Sequence, residues 1–316
     1  MLRFLIQRSL QNVLLLWLVS MIGFGVLYLA PGGPLAQFAL VPGMSQADLQ
    51  RIATQMGLNR PIPAQYWEWF TRLLTGDWGH SYRDGQPVLS VIGSHLTATL
   101  ELMGASAFVA IIVGMWVGVL GAIRRYSLFD YLATIGAMVA LSIPTFWFGL
   151  VTIYIFSVKL AILPAGNRYT IGNGSLLDYA YHLIAPSLVL GLVTVALWSR
   201  YMRASMLETI NQDYIRTARA KGAPEHVVLF RHAIRNALLP MITIAGLQLP
   251  TLLSGALVTE TVFTWPGMGR LFLDSLSYRD YPVVMGILIL SAVLVLVGNM
   301  LADLLYAVAD PRIRLD

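Results

Sequence analysis

Charges in this chain gather in clusters, and long uncharged runs separate them. The runs cover residues 9–30, 102–123, 131–158, 179–199, 236–259 and 281–302, with lengths of 22, 22, 28, 21, 24 and 22. A helix that crosses a bilayer needs about 20 mostly apolar residues, so the pattern predicts six transmembrane helices and an all-α polytopic membrane protein. None of the runs alternates with period two, which argues against a transmembrane β-barrel. The first run follows Arg3 and Arg8 and has the polarity of a signal peptide, but it is longer than the usual apolar core of about 7–15 residues. Tyr28-Leu29-Ala30 is also a poor cleavage site, so a retained helix is expected.

Residues 31–96 form the longest stretch between spans, and they read as structured. Ser45 with Asp48 makes a capping box, Leu49, Ile52, Ala53 and Met56 follow at helical spacing, and Gly57 closes the element. A second helix is expected from near Pro63 to Gly76, carrying Tyr66, Trp67, Trp69 and Phe70, with Trp78 just beyond. Aromatics this dense beside a span suit packing at the membrane interface; a contact with a partner protein is the alternative. The chain thus divides into an N-terminal helix (1–30), the helical segment 31–96, a five-helix core (97–306) and a tail (307–316).

Composition agrees. Of 316 residues 57% are hydrophobic and 12% charged, against about 25% charged in an ordinary soluble domain. There is no cysteine, which excludes a disulfide scaffold. With the N-terminus inside, inner segments hold 13 basic residues and outer ones 8, four of these in the long 31–96 stretch. The positive-inside rule weighs short segments most, and both termini are therefore expected in the cytoplasm.

The inner loop 200–235 is the informative one. Seven basic residues (Arg200, Arg203, Arg216, Arg219, Lys221, Arg231, Arg235) accompany Glu208, Asp213 and Glu225. Asp213 is a good N-cap, Tyr214 to Lys221 can be helical, Gly222 can close the helix and Pro224 prevents its continuation. A two-turn helix is unstable alone in water. It must dock, either on the protein's own helix ends or on a cytosolic subunit.

Searches for chemistry return little. The only lysines, Lys159 and Lys221, follow Val158 and Ala220, so no P-loop is present. The five histidines (His80, His95, His182, His226, His232) are scattered without metal-ligand spacing. Glu101, Glu260 and Asp303 stand at span ends, where a carboxylate reaches headgroup water; no acid lies in mid-span, as an ion-coupled carrier would require. Ser142-Ile143-Pro144 interrupts the third span, and Pro186 and Pro250 the fourth and fifth. The basic loop is explained by topology and docking without invoking nucleic acid.

Four ordered stretches together resemble a known family: Leu58-Asn59-Arg60-Pro61 with Leu74-Thr75-Gly76-Asp77-Trp78-Gly79-His80-Ser81; Leu141-Ser142-Ile143-Pro144-Thr145-Phe146-Trp147; Asp213 to Gly222 with Arg235-Asn236-Ala237-Leu238-Leu239-Pro240; and Glu260-Thr261-Val262-Phe263-Thr264-Trp265-Pro266-Gly267-Met268-Gly269-Arg270. Over almost its full length the chain is similar to the dipeptide/oligopeptide-type permease subunits of bacterial ABC importers. The resemblance implies a type I importer permease fold in the inner membrane. Implied partners are a paralogous second permease, two ATPase subunits that bind ATP and Mg, an extracytoplasmic binding protein and the lipid bilayer, with no cofactor or catalysis in this subunit.

The third stretch resembles the loop that engages the ATPase. In the wider superfamily it begins Glu-Ala-Ala and places Gly four positions later; here Arg216, Thr217, Ala218 and Gly222 align, and the Glu is absent. The implied coupling helix comprises Asp213, Tyr214, Ile215, Arg216, Thr217, Ala218, Arg219, Ala220, Lys221 and Gly222. Candidate pathway or gate residues are Ser142, Pro144, Gln248, Ser254 and Glu260. Peptides are the leading cargo. Nickel, glutathione or another small solute is the alternative within the family, and a stand-alone ion-coupled carrier the alternative outside it.

Overall fold

A computed structural model describes residues 2–29, 33–35, 38, 43–254 and 256–309. Its elements are helices: α1 (Leu2–Leu29), α2 (Gln46–Gln55), α3 (Ile62–Leu74), α4 (Val88–Ile123), α5 (Leu128–Ser142), α6 (Thr145–Thr152), α7 (Leu176–Ile210), α8 (Asp213–Ala220), α9 (Glu225–Val227), α10 (Arg235–Ser254), α11 (Leu257–Val262), α12 (Met268–Ser277) and α13 (Tyr281–Ala309). Single π-helical segments continue α6 over Ile153–Lys159 and join α9 to α10 over Val228–Ile234. Among the described residues five helices are long and apolar enough to cross a membrane, and six if the bent α5–α6 pair counts as one span.

That pair covers the run expected as one span interrupted at Ser142-Ile143-Pro144, and the interruption falls at those residues. α5 and the α6 segment are bent by 105° at the Ser142-Ile143-Pro144 break. Ile143 is extended, with φ −83° and ψ 127°, because the ring of a following proline pushes its predecessor out of the helical region. Pro186 has a milder effect and sits inside the continuous helix α7.

The 200–235 stretch differs from a plain loop. α7 runs on to Ile210, and helix resumes at Glu225, so irregular backbone is confined to short links around α8. At about 1.5 Å per residue the 36-residue α4 and the 35-residue α7 are each about 50 Å long, well beyond the ~30 Å apolar core of a bilayer. Arg200, Arg203 and Glu208 lie in the last turns of α7, past its uncharged run 179–199.

Two capping expectations hold in detail. Ser45 and Asp48 form the reciprocal capping box of α2, and Gly57 follows its end at φ +70°. α3 begins at Ile62, one residue before Pro63, and Gly76 at φ +89° ends its turn. The segment is pinned to the bundle: Phe24 and Tyr28 of α1 pack with Tyr66 and Trp69 of α3 and with Tyr281, Val284 and Met285 of α13. Buried Asp280 then accepts hydrogen bonds from Ser81 Oγ (2.5 Å) and the Tyr82 amide (3.0 Å). Burial pushes the Tyr82 phenol well above its ordinary pKa.

The centre of the bundle is the parallel pair α4 and α7. Gly114 and Gly118 let them approach: an added Cβ would fall 2.7 Å from Trp198 Cβ and 2.6 Å from the Ser199 carbonyl oxygen. α10 and α13 pack as a second pair, and α1 lies against α13. One end of the bundle carries α8 and the α4–α5 turn; the far end carries α2, α3, the 160–175 loop and the α11–α12 hairpin.

Candidate functional site

α8 starts one residue earlier than its sequence suggests. Gln212 is the extended residue before it, and Asp213 occupies the first helical turn, where its charge still suits the helix dipole. The exit follows the expected chemistry. Gly222 takes φ +77°, its amide reaches the Arg219 carbonyl at 2.9 Å, and the Ala223 amide reaches the Ala218 carbonyl at 3.3 Å. This is a Schellman closure, completed by partly buried Ala218 and Ala223 against the same core. Arg219 then forks onto Glu225 at 2.6 and 3.1 Å, fixing the turn into α9. That carboxylate raises the pKa of the Arg219 guanidinium above its ordinary value.

The helix has two unlike faces. Ile215 has no exposed surface; α8 packs on the π-helical segment, and Ile215 joins Val228 and Ala233 of that segment in one buried cluster with Val119 and Ala122 of α4 and Met202 and Met206 of α7. Tyr214 beside it is 45% exposed, and Arg216, Thr217 and Lys221 flank it on the surface. Of the two docking partners open at the sequence level, the protein's own helix ends take the Ile215 face. The other face is left to water in this chain.

The candidate pathway residues fall in separate places. Ser142 and Pro144 are exposed at the α5–α6 break, where Ser142 Oγ donates to the Met138 carbonyl (2.9 Å). Gln248 on α10 accepts from Trp198 Nε1 at 2.9 Å, tying α10 to α7. The side chain of Ser254 lies outside the described residues. Glu260 has 0% exposure. Its Oε1 accepts from Thr99 Oγ1 (2.7 Å), and its Oε2 accepts from the amides of Gly269 (2.7 Å) and Arg270 (3.2 Å).

Glu260 therefore satisfies the N-terminus of α12, where unpaired amides and the helix dipole favour an anion. The glycines of the motif make this possible. A Cβ at Gly267 would lie 2.3 Å from the Glu260 carboxyl carbon, and one at Gly269 would lie 2.4 Å from Leu257 Cα. Thr99 completes the cap by accepting from the Met268 amide at 2.7 Å. Trp265, fully buried, donates from Nε1 to the Ala98 carbonyl at 2.8 Å.

Three polar partners escaped the sequence reading: Thr99, the Asp130–Arg203 pair and the Ser81–Asp280 pair. Arg203 Nε and a terminal nitrogen donate to the two oxygens of buried Asp130 at 2.6 and 2.7 Å. Ser127 caps α5 through the Asp130 amide, and this Ser-x-x-Asp spacing was the one local signal for the site. The partners themselves lie far apart in sequence and leave no periodic trace.

Comparison with known proteins agrees with this architecture. The family of binding-protein-dependent transport system inner membrane components matches residues 110–315, and the N-terminal part of such membrane components matches residues 1–103. The chain is 45% identical to the oligopeptide transport system permease protein AppB of Bacillus subtilis, over 98% of this chain and 99% of that one. It is 38% identical to the dipeptide transport system permease protein DppB of Escherichia coli, over 94% of both. In fold it is similar to a chain of the MetNI methionine ABC transporter, at a TM-score of 0.56 and 19% identity over 71% of this chain and 98% of that one. With these matches over nearly its full length, the chain belongs to the binding-protein-dependent transport system inner membrane components, the multi-pass permease subunits of ABC importers.

Proposed function

We propose that this permease imports di- and oligopeptides delivered by a binding protein, and that it provides half of the path across the membrane. The peptide assignment is supported by the names of its relatives. Two ATPase subunits bind ATP and Mg, a second permease encloses the other half of the path, and both termini are cytoplasmic. No covalent chemistry takes place in this chain.

The observation that carries the reading is the two-faced helix α8. Ile215 anchors it to the bundle, while Tyr214, Arg216 and Lys221 project from it. A short helix fixed on one side and bare on the other is suited to sit in a cleft of the ATPase. Closure of the ATPase pair then moves α8 and switches the access of the path as rigid helices shift. At the opposite face, residues 31–96 and 263–280 are the surfaces offered to the binding protein.

Reconstitution tests this. Uptake of di- and oligopeptides into proteoliposomes must require the ATPase subunits, ATP and the binding protein together. Uptake by the permease pair alone, driven by an ion gradient, would refute the proposal.

A further inference from the structure

The two ends of the bundle are fastened to the same pair of helices. At the α8 end, Ile215 packs with the π-helical segment into one buried cluster that also holds Val119 and Ala122 of α4 and Met202 and Met206 of α7. At the far end, Ala98 and Thr99 of α4 hold the α11–α12 hairpin through Trp265, Met268 and Glu260. Thr99 and Val119 are separated along one helix by about 30 Å at ~1.5 Å per residue, close to the thickness of a bilayer core.

Between those ends, α4 and α7 leave each other no room to slide. An added Cβ at Gly191 would meet the Ser106 carbonyl oxygen at 3.2 Å, at Gly114 Trp198 Cβ at 2.7 Å, and at Gly118 Met202 Cβ at 2.7 Å. Helices whose backbones pack this closely at three glycines resist gradual displacement, because packed interfaces shift between discrete arrangements and do not deform smoothly. Just past the glycine seam, the Asp130–Arg203 ion pair locks the α4–α5 turn to α7.

We infer that α4 and α7 form one rigid strut carrying a displacement of α8 to the α11–α12 hairpin, with Thr99 as the positioning residue that fastens hairpin to strut. The inference rests on the proposed role of α8. Thr99 is fully buried and works in both directions, donating to Glu260 and accepting from the Met268 amide. Valine keeps its shape but leaves a carboxylate oxygen and an amide unpaired, and serine keeps both bonds.

The test uses the whole importer, with its ATPases and binding protein, in proteoliposomes. Thr99→Val should retain ATP hydrolysis while peptide taken up per ATP falls about tenfold or more, the scale set by two buried groups left unpaired. Thr99→Ser should restore the wild-type ratio. A wild-type ratio in Thr99→Val overturns the inference. Spin labels give a second reading that does not depend on that variant accumulating. The chain lacks cysteine, and Phe108 on α4, Leu188 on α7 and Leu276 on α12 are exposed. The 108–188 and 108–276 distances should stay the same with and without trapped ATP, while distances from 108 to the second permease change. A nucleotide-dependent change in either internal distance overturns the strut. If the wild-type permease recruits no ATPase, the proposed function fails and the inference with it. If recruitment and uptake are normal but the two readings above fail, the inference alone is wrong.

Discussion

Arg203 on α7 grips Asp130 at the start of α5 with two nitrogens, while the Tyr126 amide donates to the same carboxylate at 3.0 Å. Asp130 has only 3% of its surface exposed. Removing Arg203, whose side chain is itself 31% exposed, would leave the carboxylate with one backbone donor, at a cost on the order of 1–3 kcal/mol. We predict that Arg203→Ala lowers the thermal midpoint of the purified permease clearly. Arg216→Ala, whose partner Asp213 is 3.4 Å away on an open surface, should change it by less than about 0.5 kcal/mol. Equal effects from the two variants would contradict this assignment.

The hairpin depends on the absence of two side chains. Gly267→Ala and Gly269→Ala push a methyl into the Glu260 carboxyl and the Leu257 backbone, and each should abolish accumulation of folded protein. Gly104→Ala in α4 is the matched control, since nothing lies within 4 Å of its added Cβ. It should be neutral or stabilise by up to about 1 kcal/mol through helix propensity. Quantitative recovery from the membrane fraction would decide the matter.

Asp280→Asn should loosen residues 43–87 without unfolding the bundle. The amide that replaces the carboxylate keeps a single acceptor for the two donors from Ser81 and Tyr82; hydrogen bonds to a charged group are each worth about 1.5–3 kcal/mol. Limited proteolysis should then cut within 43–87 faster than in wild type, while the α4–α7 core stays protected. Unchanged cleavage would show that aromatic packing alone holds the segment.

Gly222→Ala places a side chain at φ +77°, at a cost of about 1–2 kcal/mol for a left-handed residue. Because α8 has two turns, the loss falls mainly on its last turn. Hydrogen exchange at Ala220 to Ala223 should quicken, with the rest of α7 and α10 unaffected. A uniform change across the chain would place the strain elsewhere.

Much of this was legible in the chain. The uncharged runs located the spans, and local signals located α2, α3 and the close of α8, because caps and glycine exits are fixed by neighbours in sequence. The α5–α6 bend was half legible: Pro144 marked the break, but its 105° angle depends on what each half packs against. The continuation of α7 to Ile210, past its uncharged run, was missed because charge ends an apolar run without ending a helix. Glu260 stood out as a charge near a span, yet its partners Thr99 and the Gly269 amide meet it only after folding. Long-range polar pairs such as Ser81 with Asp280 have no period to betray them.

Cross-linking from α8 is the most direct measurement. In the assembled importer, single cysteines replacing Tyr214 and Arg216 should cross-link to the ATPase, while one replacing buried Ile215 should not. If none of positions 213–222 cross-links to an ATPase, or if these positions react with an impermeant thiol reagent added outside intact cells, the account is contradicted.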